Sequence, residues 1–84
     1  MSGPGASTKT FGLTHRELEI IAAVADGQVN KDIAQTLHIS EYTVKHHLTR
    51  IFDKLGVSNR VELVIFAINH DLIKQLDDKA ASRS

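Results

Sequence analysis

Apolar positions in the middle of this chain recur every three to four residues and nowhere alternate in the manner of a strand. In "LTHRELEIIAAVADG", Leu18, Ile21, Ala22 and Ala25 fall at i, i+3, i+4 and i+7, one face of a helix. Thr14 with Glu17 three residues later is a capping box: the hydroxyl takes the Glu17 amide and the carboxylate reaches back to the Thr14 amide. Leu13 and Leu18 are placed as the accompanying hydrophobic staple, and Gly27 ends the helix in a left-handed residue. A second, short helix carries Ile33, Ala34 and Leu37, with Asn30 as its cap, and "LHIS" interrupts it. Ser40 caps a third helix with Val44, Leu48, Ile51 and Leu55 on one stripe, closed by Gly56. Ser58 caps a fourth, running to about Asn69. The pattern predicts an all-α, four-helix domain without internal repeats.

Two short helices joined by a tight turn, the second cleanly amphipathic, predict a helix-turn-helix. Ala34 is small where the two helices approach, Ile39 can plug the turn and Val44 faces back inward; His38 stands where Gly is often found. The folded domain is expected over 11–74. Residues 1–10, "MSGPGASTKT", read as a flexible arm or linker, and residues 75–84 as a disordered tail.

Composition changes the picture by exclusion. Eighty-four residues make one small domain, and the absence of cysteine removes disulfides and thiolate–zinc staples. The longest apolar run, "LVIFAI", is far too short to span a bilayer, and no secretory signal is visible, so a cytoplasmic protein is expected. Ten cations balance ten anions, which gives no global signal for nucleic acid. The charges are unevenly placed, however. From His38 to Arg60 the cations Lys45, Arg50, Lys54 and Arg60 face only Glu41 and Asp53, whereas Glu17, Glu19, Asp26 and Asp32 lie in the first two helices.

The candidate chemistry sits in "TVKHHLTR", Thr43 to Arg50. At about 100° per residue the core stripe of the third helix turns Tyr42, His46, Thr49 and Asp53 outward, with Lys45 and Arg50 on their flanks. Adjacent histidines on a helix diverge and cannot clamp one ion, and no histidine or carboxylate stands three or four residues away to complete a site. No metal site is assigned. Nor does the chain offer a cysteine nucleophile, a glycine-rich phosphate loop, or a serine with histidine and acid in place, so no enzyme is read here. His47 falls beside the buried stripe and is read as a structural histidine, hydrogen-bonded at the core's edge. The outer face is then either an ordinary solvated surface or one that grips an acidic partner.

Taken together, "LTHRELEII", "GQVNKDIAQTLHIS" and "TVKHHLTRIFDKLGVSNR" resemble the LuxR/NarL-type, or GerE-like, DNA-binding domain across nearly the whole predicted fold. The resemblance implies a four-helix output domain of bacterial transcription regulators, its third helix in the DNA major groove and its fourth at a dimer contact. It implies base contacts at Lys45, His46 and Thr49, although a basic residue is frequent at the position of Thr49. Helix starts and long cations nominate the phosphate contacts: Asn30, Lys31, Ser40, Tyr42, Thr43, Arg50 and Lys54. Arg60 either joins that set or ties the fourth helix to the third through carbonyls. On the fourth helix Leu63, Phe66 and Ala67 form one apolar stripe and Val61, Val64, Ile65 and Ile68 another; either the domain buries both or the second meets a partner. The resulting expectation is a cofactor-free, sequence-specific reader of double-stranded DNA acting as a homodimer. A receiver or ligand-binding domain would precede it in a longer parent. The alternative is a protein-interaction module of the same fold that uses the fourth helix and leaves DNA alone.

Overall fold

Thr14 opens the first helix as the spacing requires. Its Oγ1 accepts from the Glu17 amide at 3.1 Å, and its own amide donates to Glu17 Oε1 at 2.9 Å. The computed structural model describes residues 11–73, so the arm expected over 1–10 and the tail expected over 75–84 lie outside the described residues. Within them are four helices: α1 (His15–Ala25), α2 (Asn30–Leu37), α3 (Glu41–Leu55) and α4 (Arg60–Asn69). No strand occurs among the described residues, and no helix there is long and apolar enough to cross a membrane.

α2 packs on α3, and α1 packs against both α3 and α4. Their shared core holds Ile20, Ile21 and Val24 from α1, Ile33 and Ala34 from α2, Val44, Leu48, Ile51 and Leu55 from α3, and Leu63 and Ala67 from α4. Leu13 closes it before α1 and Leu72 beyond α4. The stripe of α3 is thus the one the periodicity predicts. That of α1 is turned by one residue: its buried side chains are Glu17, Ile20, Ile21 and Val24, while Leu18, Ala22 and Ala25 are only half-buried. A charged residue occupies the first position of the true stripe, and an apolar-only pattern skips it.

Two caps also differ from expectation. Val29, in extended conformation, precedes α2 and gives no side-chain cap, so Asn30 is the first helical residue and not the cap. Before α4 the cap is Asn59, whose Oδ1 accepts from the Glu62 amide at 2.9 Å; Ser58 instead donates its amide to Glu62 Oε1 at 2.7 Å. In each case the neighbouring residue fits the last non-helical position.

The turn between α2 and α3 is made by His38 in the left-handed region, φ 60°. That conformation lets the Ile39 amide reach back to the Ala34 carbonyl at 3.0 Å, and Ile39 packs half-buried against the core. Gly56 closes α3 at φ 71°, its amide on the Phe52 carbonyl at 2.8 Å. The result is a helix-turn-helix of α2 and α3 carried on a platform of α1 and α4.

Candidate nucleic-acid interface

Helix α3 is divided sharply. Val44 and Ile51 are fully buried, while Tyr42 on the far side is 76% exposed. Lys45, His46, Thr49 and Arg50 are exposed beside it, so the structure brings the three candidate base contacts onto one face. Among the described residues neither Lys45 nor Arg50 forms a salt bridge, so both guanidinium and ammonium stay available to a ligand. Thr49 donates its hydroxyl hydrogen to the Lys45 carbonyl at 3.1 Å, which leaves that oxygen's lone pairs and the methyl group for any partner. The rings of Tyr42 and His46, one turn apart, lie 12° from parallel with centroids 6.4 Å apart.

The start of α3 is tightly ordered. Ser40 Oγ accepts from the Thr43 amide at 3.0 Å and shares a 2.9 Å hydrogen bond with Thr43 Oγ1. Both hydroxyls therefore sit at the positive end of the helix dipole. The start of α2 is built differently. Arg60, at the head of α4, donates from Nη1 to Asn30 Oδ1 at 2.8 Å and from Nη2 to the Gln28 carbonyl at 2.7 Å. With its oxygen so occupied, Asn30 presents only its amide donors onward. Because no side chain caps α2, its first-turn amides are left to water or an anion, beside the exposed Lys31. Arg60 thus ties α4 through a carbonyl, as one of its two readings held, but to the start of α2 and not to α3.

Lys54 is placed inward. Its Nζ lies 2.6 Å from Glu17 Oε1 and 2.9 Å from the Gly12 carbonyl. Glu17 is 2% exposed. Burial pushes its carboxyl pKa up, but the hydrogen bonds from Lys54 and the Thr14 amide and the charges of Lys54 and Arg50 outweigh this. The net result is a carboxyl held below its ordinary value. Sequence spacing lists Lys54 with the other cations of α3 and gives no sign of the pair. The missed signal was Glu17 at i of an i, i+3, i+4, i+7 set with Ile20, Ile21 and Val24, a carboxylate on a buried stripe that demands a cation.

His47 is half-buried as expected, but its ring has no hydrogen-bond partner among the described residues, which corrects that part of its reading. No group of three or more metal-ligating side chains converges among the described residues. On α4, Leu63 and Ala67 are fully buried, while Val61, Ile65 and Ile68 are 67%, 53% and 61% exposed. Val64 is half-buried against the core, at the edge of that outer stripe.

The model of the family described as bacterial regulatory proteins, luxR family (GerE), matches residues 12–67. The chain is 45% identical over 62 residues to the response regulator protein VraR of Staphylococcus aureus strain Mu3. The same identity is found with VraR of Staphylococcus saprophyticus and of Staphylococcus epidermidis. The alignment takes in 74% of this chain and 30% of each relative, so the chain spans under a third of the length of those proteins. Since the family match runs from Gly12 through α1, α2 and α3 to Ala67 on α4, the chain belongs to the luxR family of bacterial regulatory proteins.

Proposed function

We propose that the domain binds double-stranded DNA sequence-specifically to regulate transcription, with α3 in the major groove. The observation that carries this reading is the outer face of α3. Lys45, His46, Thr49 and Arg50 are exposed together on a helix anchored rigidly from behind by Val44, Leu48 and Ile51. A major groove admits one helix and offers base-edge acceptors and a thymine methyl to such a set. Lys45, His46 and Thr49 are the base readers. Asn30, Lys31, Ser40, Tyr42, Thr43 and Arg50 hold the phosphates; Lys54 is left out because its ammonium serves Glu17 and Gly12. The exposed stripe of Val61, Ile65 and Ile68, flanked by Val64, pairs two copies. The output role fits relatives that are response regulators: a receiver or ligand-binding domain would precede this one in a cytoplasmic parent protein. No catalytic constellation or cofactor enters the reading.

The exposed apolar stripe of α4 also favours a second reading, a module that binds another regulator and not DNA. A gel shift with long duplex across a salt series separates the two. DNA reading predicts a linear fall of log affinity with log salt, and Arg50→Ala flattens that slope by about 0.9, one phosphate contact. His46→Ala then lowers affinity for a selected duplex by on the order of 1–3 kcal/mol with little change on random duplex. Absence of salt-dependent binding in the wild-type domain leaves the interaction module.

A further inference from the structure

A base-reading side chain must arrive already oriented, since a loosely held ring forfeits geometry and ordering entropy at the moment of contact. His46 has little to orient it. It is exposed, and its ring nitrogens find no hydrogen-bond partner among the described residues. Lys45 beside it is exposed and makes no side-chain hydrogen bond among the described residues, and Thr49 turns its hydroxyl to the Lys45 backbone. The ring that stacks on the imidazole is Tyr42, at i−4 on the same face, 12° from parallel at 6.4 Å between centroids. Residues four apart on a helix are neighbours, and aromatic pairs at such separations attract beyond their area of contact. Tyr42 is itself 76% exposed and has no place in the core, so packing does not account for a large aromatic ring there.

We propose that Tyr42 is a specificity-determining positioning residue: its ring holds the His46 imidazole in the orientation that reads the base edge. This rests on the DNA-binding reading above and changes the role of Tyr42 from phosphate contact by its hydroxyl to orientation by its ring. The two roles make opposite demands on the side chain. Orientation needs the aromatic face and no hydroxyl; a phosphate contact needs the hydroxyl and no particular neighbour.

The test uses Tyr42→Phe and Tyr42→Ala, each with and without His46→Ala, in the full 84-residue chain. Binding is measured to a duplex selected by the wild type and to its single-base variants. Ring positioning predicts that Tyr42→Phe keeps the wild-type base preference. Tyr42→Ala should weaken the preference at the His46-dependent base pair by about two- to tenfold, the range an aromatic pair supports. In the His46→Ala background Tyr42→Ala should have no further effect on preference. Equal losses on every duplex, shared by Phe and Ala variants, overturn the proposal and return Tyr42 to the phosphate; so do effects of Tyr42 and His46 that simply multiply. A readout in the free protein is independent of DNA. Proton NMR should show His46 ring resonances shifted by the neighbouring ring and one dominant side-chain rotamer in wild type and Tyr42→Phe. Both features are lost in Tyr42→Ala. An imidazole that averages rotamers identically in all three refutes positioning even if DNA binding stands. An ordered imidazole with no salt-dependent DNA binding refutes the functional reading, and the specificity role with it.

Discussion

Arg50 and Lys54 lie one turn apart on α3 with the same charge, and their surroundings give them opposite tasks. Arg50 is exposed and unpaired among the described residues, whereas Lys54 turns beneath α1 to neutralise a carboxylate that is 2% exposed. Removing Lys54 leaves the buried Glu17 charge uncompensated, so Lys54→Ala should destabilise the fold by on the order of 2 kcal/mol in urea titrations near pH 7, less than for a fully buried pair because Lys54 is partly exposed. It should leave the salt slope of DNA binding unchanged; a slope reduced as by Arg50→Ala would put Lys54 back on a phosphate. Glu17 also makes stability depend on pH. Its folded pKa lies below the ordinary value of 4.5, so the ionised form is the one the fold favours. The corresponding stabilisation is fully present above the unfolded pKa and is lost as pH falls through the folded one. Glu17→Gln should therefore be less stable than wild type at neutral pH, with the gap closing as both are titrated below the ordinary carboxylate range. A gap that stays constant down to the acid limb would mean the carboxylate is not ionised in the fold.

At the scale of elements, the turn of the helix-turn-helix carries a strain that the chain can lose. His38 sits at φ 60° with a Cβ, where a left-handed residue costs roughly 1 kcal/mol and Gly does not. His38→Gly should raise stability by about 0.5–1 kcal/mol in urea unfolding, with part of the relief offset by the freer unfolded chain. A destabilised variant would show that the imidazole makes contacts worth more than the strain. The same element shows what a sequence can disclose. Four helices, the α3 stripe, the Thr14–Glu17 box and the position of the turn are all written in local spacing, because each depends on residues within one or two turns. The cap of α4 is misread by one residue because Asn59, adjacent to Ser58, takes the Glu62 amide, and that of α2 because Asn30 enters the helix with its side-chain oxygen held by Arg60 from thirty residues away. The face of α1 is misread because Glu17 belongs to the core only by virtue of Lys54 on another helix. Of the candidate interface, the outward set on α3 is legible for the same local reason. The inward turn of Lys54 and the clasp of Arg60 on Asn30 are tertiary and have no local signature.

For the whole molecule the unresolved force balance is between a neutral chain and a polyanionic ligand. Ten cations offset by ten anions give little long-range attraction, and the excess positive charge near α3 is confined to a few side chains. A single domain with few phosphate contacts should therefore bind weakly, and pairing is the economical way to gain affinity, since a second reader tethered to the first acts at a high effective concentration. The outward stripe of α4 supplies the means. Val61, Ile65 and Ile68 are more than half exposed while Leu63 and Ala67 on the opposite side are fully buried. A charge at the outer stripe can thus be solvated in a monomer but not in an apolar contact between two copies. Ile65→Asp or Ile68→Asp should leave helical circular dichroism unchanged and shift sedimentation to the monomer. Affinity for a duplex with two half-sites should fall steeply, while that for one half-site barely moves. A variant that sediments as the wild type and binds both duplexes as before would remove the homodimer, and the stripe would then belong to another partner.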